Sequence, residues 1–261
     1  MTSLPGRLAP QTRPREWDAG TYDRLPLPHL RWGDRLLADL HLNGDETVLD
    51  IGAGTGRDTA KLLDRLPRGH VIAVDGSQAM LDRLAARFAG HSHAARLTVL
   101  HADLNNPLPL DRQVDVIFSV ATLHWLADHS TVFAHLAAAL RPGGTLHAEW
   151  GGHGNLAAIE QSLADLGLPA LGGALNFATA DETRQRLLQA GFTDPRVNLQ
   201  PDPARLQPGE QLETFLATVV LGALLDQVPL ERHHRLVTDI ANRLPAPEID
   251  YVRLHAHATR T

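Results

Sequence analysis

A short apolar run that ends in three closely spaced glycines constrains the fold of this chain more than any other feature. Residues 48–56 read Val-Leu-Asp-Ile-Gly-Ala-Gly-Thr-Gly, which is typical of a buried strand that turns at once into a helix. Because glycine has no Cβ, a ligand can approach bare backbone at Gly52 and Gly54. A second apolar run, residues 71–75, ends in an acid, Asp75. A carboxylate at the tip of a second strand can accept hydrogen bonds from both hydroxyls of a ribose. Together the two features predict a nucleoside cofactor.

The spacing of the glycines separates two kinds of nucleoside cofactor. A dinucleotide fold carries the pattern G-x-G-x-x-G, whose third glycine lets helix and strand pack closely while the phosphates lie at the helix N-terminus. Here Gly52, Gly54 and Gly56 alternate, and Arg57 stands where that third glycine would be. Asp50 suits a cationic ligand better than a pyrophosphate. The loop therefore favours S-adenosylmethionine (SAM), which carries a sulfonium and an ammonium, over a nicotinamide dinucleotide. A glycine-rich turn that binds nothing is the alternative.

Apolar runs and amphipathic segments alternate from residue 47 onward, which predicts βαβ units in a parallel sheet with helices on both faces. We predict strands at residues 47–51, 71–75, 97–101, 115–120, 145–150, 195–200 and 250–258. We predict helices at residues 55–66, 77–88, 130–140, 155–167, 181–190, 209–225 and 229–243. Ser77 is the expected N-cap of the second of these helices, and the segment between residues 17 and 42 is expected to be helical in part.

These segments carry motifs of a known family, and the chain resembles the class I SAM-dependent methyltransferases over residues 44–151. The residues that carry the resemblance are the loop at 48–56, Asp75-Gly76-Ser77, Ala102-Asp103-Leu104, the block at 115–125 and Leu140-Arg141-Pro142-Gly143-Gly144. The subgroup that it resembles is the trans-aconitate methyltransferase-like group of small-molecule O-methyltransferases. That narrower likeness depends on His124-Trp125 and on the helical segments near 210–244.

The resemblance implies a complete architecture. The fold would be α/β, with a doubly wound, Rossmann-like sheet of seven mostly parallel strands and a helical lid over its carboxyl edge. The last strand would be antiparallel and would lie between the fifth and sixth. Residues 1–42 would form an N-terminal arm and lid helices. Residues 43–261 would form the SAM-binding domain, with lid insertions at about 151–180 and 209–244.

Cofactor contacts can be assigned to individual residues. Gly52 and Gly54 would contact the aminocarboxypropyl arm of SAM, and Asp75 would bind the ribose unless it is only a solvated turn residue. By resemblance, Asp103 would accept from the adenine amino group, with a capping role as its alternative. Tyr22 would contact the SAM carboxylate or sulfonium, or would only pack. The predicted cofactor-binding set comprises Tyr22, Asp50, Gly52, Ala53, Gly54, Asp75, Gly76, Met80, Ala102, Asp103, Leu104 and Ser119.

The methyl acceptor should lie beside His124, which follows the fourth predicted strand by a few residues. For a hydroxyl acceptor, His124 is the candidate catalytic base. For a carboxylate no base is needed, and His124 would donate a hydrogen bond. The plainer alternative is a loop histidine packed beside its neighbour. Glu149 is a second candidate base unless it faces away from the site. The predicted substrate-binding set comprises Trp17, Tyr22, His124, Trp125 and Trp150, although tryptophan is equally a large core residue.

Charge and composition limit the partners. The net charge of −6 gives no reason to expect nucleic acid. The absence of cysteine excludes disulfides, thiolate metal sites and thiol catalysis. No histidine grouping predicts a metal site: His255 and His257 would share one strand face, and two ligands do not close a site. No apolar run has the length of a signal peptide or a membrane span, so we expect a cytoplasmic protein without membrane contacts.

Three classes of function are compatible with these features. The first is methyl transfer from SAM to a small-molecule acceptor, with S-adenosylhomocysteine (SAH) as product and with oxygen as the expected acceptor atom. Transfer to nitrogen or carbon of a natural-product scaffold is its variant. The second is a methyltransferase fold that binds SAM without transferring methyl, as a cyclase or a binding module. The third, a nicotinamide oxidoreductase, is disfavoured by the glycine spacing.

Overall fold

The computed structural model describes residues 8, 13–25 and 28–261, apart from the side chain of residue 29. The strands are β1 (Thr47–Ile51), β2 (His70–Asp75), β3 (Leu97–His101), β4 (Val114–Val120), β5 (Leu140–Gly151), β6 (Phe192–Pro201), β7 (Ala204–Arg205), β8 (Glu248–Ile249) and β9 (Val252–Arg260). The α-helices are α1 (Ala19–Arg24), α2 (His29–Ala38), α3 (Arg57–Arg65), α4 (Gln78–Phe88), α5 (His129–Ala139), α6 (Ala157–Asp165), α7 (Ala180–Gln189), α8 (Glu210–Phe215), α9 (Gly222–Leu225) and α10 (His233–Ala241). Within these ranges no helix has the length and apolar character needed to cross a bilayer.

Seven strands form one sheet in the order β3-β2-β1-β4-β5-β9-β6. Parallel pairing joins the strands from β3 through β5, and β9 runs antiparallel to both β5 and β6. The predicted fold, including the antiparallel last strand between the fifth and sixth, is therefore confirmed. Since the order reverses between β1 and β4, the carboxyl ends of these two strands flank the crevice where ligands of doubly wound sheets bind.

Three groups of buried side chains hold the layers together. Because successive strand residues face opposite sides, β1 sends Val48 to a core shared with α3 and α4, and Leu49 to a core shared with α5 and α7. The third core lies beyond the carboxyl edge of the sheet, where Phe215 and Val237 of the late helices pack against Ile159 of α6. The helices over the carboxyl edge therefore have a core of their own.

Two predicted elements differ from the structure. Strand β5 begins at Leu140, five residues before the predicted start, because Leu140 already pairs with Val114 ahead of a bulge. The helix predicted at 209–225 is broken into α8, a π-helical turn at Leu216–Val220, and α9. Gly222 lies just after that turn, and a Cβ there would collide with the guanidinium of Arg15. The missing Cβ at Gly222 therefore makes room for the Arg15 side chain.

Candidate active site

A cavity of about 1220 Å³, including its open mouth, lies beyond the carboxyl ends of β1, β2 and β4. The structure brings most of the predicted site residues to its lining: Trp17, Tyr22, Gly52, Gly54, Asp75, Gly76, Met80, Ala102, Asp103, Leu104, His124 and Trp125.

The cavity has two parts that stand over different strands. One, here named the loop half, lies over β1 to β3 and is lined by Gly52, Gly54, Asp75, Met80 and Asp103. The other, here named the lid half, lies over β4, β5 and β9 and is lined by Trp17, His124, Trp125, Phe177, Tyr251 and Arg253, among others. Among the residues on or just after the strands, Asp75 and Asp103 belong to the loop half and Arg253 to the lid half, while Arg13 and Arg15 of the N-terminal segment also line the cavity.

The glycine loop needs glycine at two positions for different reasons. Gly52 and Gly54 both have positive φ, 68° and 55°, a backbone region that side chains with Cβ rarely adopt. A Cβ on Gly52 would collide with Thr122, whereas a Cβ on Gly54 would meet no described atom within 4 Å. Gly52 is therefore required for packing against the loop after β4. Gly54 presents open backbone to the cavity.

Asp75, at the tip of β2, is fixed by two backbone donors. Its Oδ2 accepts from Gly54 N (2.8 Å) and its Oδ1 accepts from Ser77 N (2.9 Å). Burial raises the pKa of Asp75, and these two hydrogen bonds oppose that rise. Each carboxylate oxygen has a second lone pair, so the carboxylate can still accept from the two hydroxyls of a ribose.

Apolar side chains and a second acid also line the loop half. Met80 of α4 and Leu104 after β3 are buried apolar residues on its lining. Asp103 also lines the cavity, and its Oδ1 accepts from the backbone and side-chain nitrogens of Asn105 at 2.9 and 2.8 Å. Asp103 therefore has the capping role given above as its alternative, while it still borders the cavity.

The N-terminal segment lies across the loop half. Glu16 caps α4, because its carboxylate accepts from the Ser77 hydroxyl and from Ala79 N (2.9 Å). Pro14 lies so close to Gly76 that a Cβ on that glycine would collide with it. Arg15 continues to the late helices, where its Nε donates to Asp226 (2.9 Å). The segment thus joins the start of α4 to the helices over the lid half.

Aromatic side chains surround the lid half. Trp17 makes edge contacts with Trp125 and Tyr22, at ring-centroid distances of 5.2 and 5.8 Å, and His124 lies 6.0 Å from Phe177. These rings come from the N-terminal segment, the loop after β4 and the segment after α6. Together they can exclude water from an acceptor.

Hydrogen bonding orients His124. Its Nδ1 accepts from Gly151 N (3.3 Å) at the end of β5, and its carbonyl accepts from Asn176 N (2.8 Å). The neutral ring that accepts at Nδ1 carries its proton on Nε2. In this tautomer His124 is a hydrogen-bond donor at Nε2. Because Nε2 already carries a proton, it cannot act as a base.

Comparison with known proteins decides the family. A family model described as a methyltransferase domain matches residues 48–144. A trans-aconitate 2-methyltransferase of Methylobacterium radiotolerans is 32% identical over 229 residues, which are 84% of this chain and 85% of that relative. The chain belongs to the class I SAM-dependent methyltransferases. SAM is accordingly its cofactor, as predicted.

Further relatives place the methyltransferase in the predicted subgroup. A malonyl-[acyl-carrier protein] O-methyltransferase of Xylella fastidiosa is 34% identical over 181 residues, 68% of this chain and 59% of that relative. Other trans-aconitate 2-methyltransferases match over 48% of their length, so the chain spans about half of those relatives. The trans-aconitate methyltransferase-like subgroup is thereby confirmed.

A solved structure agrees with the fold of the methyltransferase. The phosphoethanolamine N-methyltransferase 2 of Haemonchus contortus, in complex with phosphomonomethylethanolamine and SAH, superposes with a TM-score of 0.59 at 18% identity. The match covers 88% of this chain and 52% of that one. At this identity the likeness concerns the architecture alone.

Some predicted site residues of the methyltransferase lie outside the main cavity. Asp50 is buried behind the glycine loop, where it accepts from the Thr59 hydroxyl (2.6 Å), and burial raises its pKa to about 7. Ser119 donates to Ile51 O (3.1 Å) and so ties β4 to β1. Ala53 borders a smaller cavity of about 420 Å³, including open space, that shares Gly52 and Gly54 with the main cavity. Asp50 and Ser119 therefore support the loop and do not line the cavity.

Trp150 and Glu149, which were candidates for the acceptor side, also lie outside the cavity. Trp150 is fully buried in the sheet core, with its ring 6.4 Å from Phe133 and 6.0 Å from His129. Glu149 is also fully buried and is paired with Arg35 (2.9 Å) and Arg253 (3.3 Å). The first is a core residue and the second is a structural counter-ion. Neither contacts the cavity of the methyltransferase.

The cavity also contains residues that the sequence did not single out. The most informative are Tyr251 and Arg253, at the start of β9, and Asn155, before α6. One signal was available: the chain has only two tyrosines, and both line the cavity. Among the described residues no group of three or more histidines and carboxylates is placed to hold a metal ion.

Proposed function

We propose that this methyltransferase transfers the methyl group of SAM to a carboxylate oxygen of a small organic acid and releases SAH. The printed names of two relatives support an acidic acceptor, since one acts on trans-aconitate and another is an O-methyltransferase of malonyl-[acyl-carrier protein]. The lid half supports it too, because its polar side chains include an arginine, a tyrosine and an asparagine.

The orientation of His124 is the observation that most favours a carboxylate over a hydroxyl. A hydroxyl acceptor needs a base, and both candidate bases already have other contacts. His124 accepts a hydrogen bond from a backbone N–H at Nδ1, and Glu149 is buried in ion pairs with Arg35 and Arg253. A carboxylate is already ionised at neutral pH and needs only to be held in line. In this proposal His124 donates from Nε2 to the acceptor.

The loop half fits the cofactor, and its residues have separate tasks. Asp75 would accept from the ribose hydroxyls, and Gly54 would lie against the aminocarboxypropyl arm, where its missing Cβ leaves open space. Met80 and Leu104 would hold the adenine, with Asp103 at its edge. Gly52, Ala53, Gly76 and Ala102 would supply backbone contacts, and Tyr22 would lie beside the arm.

The protein contributes positioning and exclusion of water. When bound, SAM supplies a methyl group that the carboxylate oxygen takes by in-line displacement, so that a C–O bond forms, the S–C bond breaks and sulfur keeps the electron pair. Holding the acceptor in line contributes ~7–11 kcal/mol toward such a barrier. Trp17, Trp125 and Tyr22 would exclude water from the lid half.

The proposed division of the chain follows from these tasks. Residues 1–42 would act as arm and lid, with Glu16 and Arg15 as its attachments. Residues 43–261 would form the SAM-binding domain, in which the insertions at about 151–180 and 209–244 cover the acceptor.

Transfer of labelled methyl groups tests the proposal. The purified protein is supplied with labelled SAM and with carboxylic acids, phenols, sugars and macrolide-like alcohols, and the products are treated with mild base. We expect label on an acid, released by base because a carboxylate methyl ester hydrolyses. Base-stable label would indicate transfer to nitrogen, carbon or a phenol. SAM binding without transfer to any compound would favour the cyclase or binding-module alternative.

A further inference from the structure

Two polar side chains of the lid half have no task in the function proposed above. Tyr251 and Arg253 stand two residues apart at the start of β9, so their side chains share one face of the chain, and both line the cavity. They lie on the strand that is farthest from the glycine loop among those bordering the lid half.

Arg253 is a buried cation on the wall of the cavity. Its side chain is 1% exposed, and its Nε and Nη2 donate to the Glu149 carboxylate and carbonyl, each at 3.3 Å. Its guanidinium lies 3.7 Å from the ring centroid of Trp32. Burial lowers the pKa of Arg253 to about 10, so the side chain stays charged at neutral pH. These contacts hold the cation in one orientation.

An ion-pair network surrounds Arg253. Arg35 contacts Glu149 (2.9 Å), the partner of Arg253, and also Asp202 (3.1 Å), which lies 3.5 Å from Arg31, a side chain that is 61% exposed. His255 also faces Glu149 (3.4 Å), and burial lowers its pKa, so it adds no charge at neutral pH. Glu149 is therefore shared between Arg253 and Arg35, so its carboxylate does not serve Arg253 alone.

Tyr251 presents a hydrogen-bond donor that the fold itself does not use. Its hydroxyl is buried and has no hydrogen-bond partner among the described residues, which is uncommon because unpaired buried polar groups destabilise a protein. Its ring is fixed edge-on against Trp32 at 5.0 Å. Burial raises the pKa of this hydroxyl, so it stays protonated. The neighbouring Asp250 accepts from Ala158 N (2.9 Å) at the start of α6 through Oδ2, while its Oδ1 is buried without a described partner.

We propose that Tyr251 and Arg253 form an anion subsite that binds a carboxylate of the acceptor other than the one that is methylated. Strand β9 is two strands from β4, which corresponds to ~10 Å at the spacing of paired strands. If SAM lies against the glycine loop as proposed above, its methyl group would be delivered beside β4, and a carboxylate held on the β9 wall would then be a second group. The acceptor is then a di- or tricarboxylic acid. This inference rests on the proposed carboxylate methylation.

The variant Tyr251→Phe tests the subsite without removing a contact of the fold. It keeps the ring on Trp32 and deletes only the unpaired hydroxyl. Thr183→Val is its matched control, because Thr183 in α7 also has a buried hydroxyl without a described partner but lies outside the cavity. Both variants should unfold at the wild-type temperature or above it, and both should bind SAH as the wild type does.

Methyl transfer to trans-aconitate, fumarate and crotonate gives the decisive comparison, since crotonate has a methyl group where fumarate has a second carboxylate. We expect the wild type and Thr183→Val to prefer fumarate over crotonate. Tyr251→Phe should lose about 10-fold in kcat/KM on trans-aconitate and fumarate, mainly through KM, and little on crotonate. Arg253→Lys, which keeps the charge and loses the planar fork, should shift the preference in the same direction.

The contrary outcomes are distinct. An unchanged fumarate-to-crotonate ratio in Tyr251→Phe overturns the subsite, and so does weaker SAH binding, which would mark a cofactor contact. A wild type that methylates crotonate as well as fumarate overturns the subsite but leaves carboxylate methylation standing. If no acid is methylated, the proposed function fails, and trans-aconitate is titrated calorimetrically into the SAH complex. Binding that only Tyr251→Phe weakens supports the subsite, and equal or absent binding refutes it.

Discussion

The loop half of the cavity draws its side chains from the tips of neighbouring parallel strands, whereas the lid half collects its side chains from distant parts of the chain. In the loop half, Gly54 and Asp75 are joined by a direct hydrogen bond of 2.8 Å. In the lid half, Trp17, Trp125 and Tyr251 come from the N-terminal segment, the loop after β4 and the approach to β9. A local motif thus specifies the first half, and only the tertiary fold assembles the second.

The side chains that the sheet strands bring to the two halves also differ in charge. The loop half offers carboxylates, which suit the hydroxyls and cationic groups of SAM. The lid half offers Arg253 and the hydroxyl of Tyr251, which suit an anion. A cavity divided in this way can hold a cation and an anion next to each other while the aromatic side chains exclude water, and that arrangement is what methyl transfer from a sulfonium to a carboxylate requires.

The largest expected effect separates packing from ligand contact within the glycine loop. Gly52→Ala should destabilise the protein by about 3 kcal/mol, since the positive φ and the collision with Thr122 act together. Gly54→Ala carries only the φ penalty of about 1 kcal/mol, and its methyl group should weaken SAH binding by occupying the cavity. Urea unfolding and calorimetry measure the two effects. Equal losses of stability would show that the loop is not packed against Thr122 as described.

A smaller effect is expected from the lid half. His124→Ala should reduce kcat/KM for the acid acceptor by about 10-fold, the usual result of losing one hydrogen bond to a charged group, with SAH affinity unchanged. A general base would behave differently: its loss would cost roughly 10²–10⁴-fold, with partial recovery at high pH. Steady-state kinetics across pH distinguish these outcomes. A loss of the size expected for a general base would indicate that the acceptor is a hydroxyl.

The contrast between the halves explains what the sequence could predict. The glycine spacing and the acid that ends β2 lie within one βαβ unit, so their contact follows from local rules. The predicted strands place Asp50 and Ser119 near strand ends, but their side chains do not line the cavity. Strand alternation gives two faces without saying which one borders a ligand, and the same ambiguity applies to Trp150, which lies in the core.

The missed residues depend on long-range contacts. Tyr251 and Arg253 reach the cavity only because β9 inserts antiparallel beside β5. Tyr251 contacts the ring of Trp32 and Arg253 pairs with Glu149, and both partners are more than 100 residues away in the chain. Glu16 caps α4 across a separation of 61 residues. No periodicity or motif in the sequence marks such pairs before the fold is known.

Calorimetric titration of SAH is the most direct measurement of the central claim, that a carboxylate at the tip of β2 holds the sugar of the cofactor. The wild type should bind at micromolar concentration or below, and Asp75→Ala should bind at least about 10-fold more weakly. Asp82→Ala, an exposed acid of α4 whose described hydrogen bond is to Gln78, should bind as the wild type does. Undiminished affinity in Asp75→Ala, or no binding by the wild type, would contradict the account.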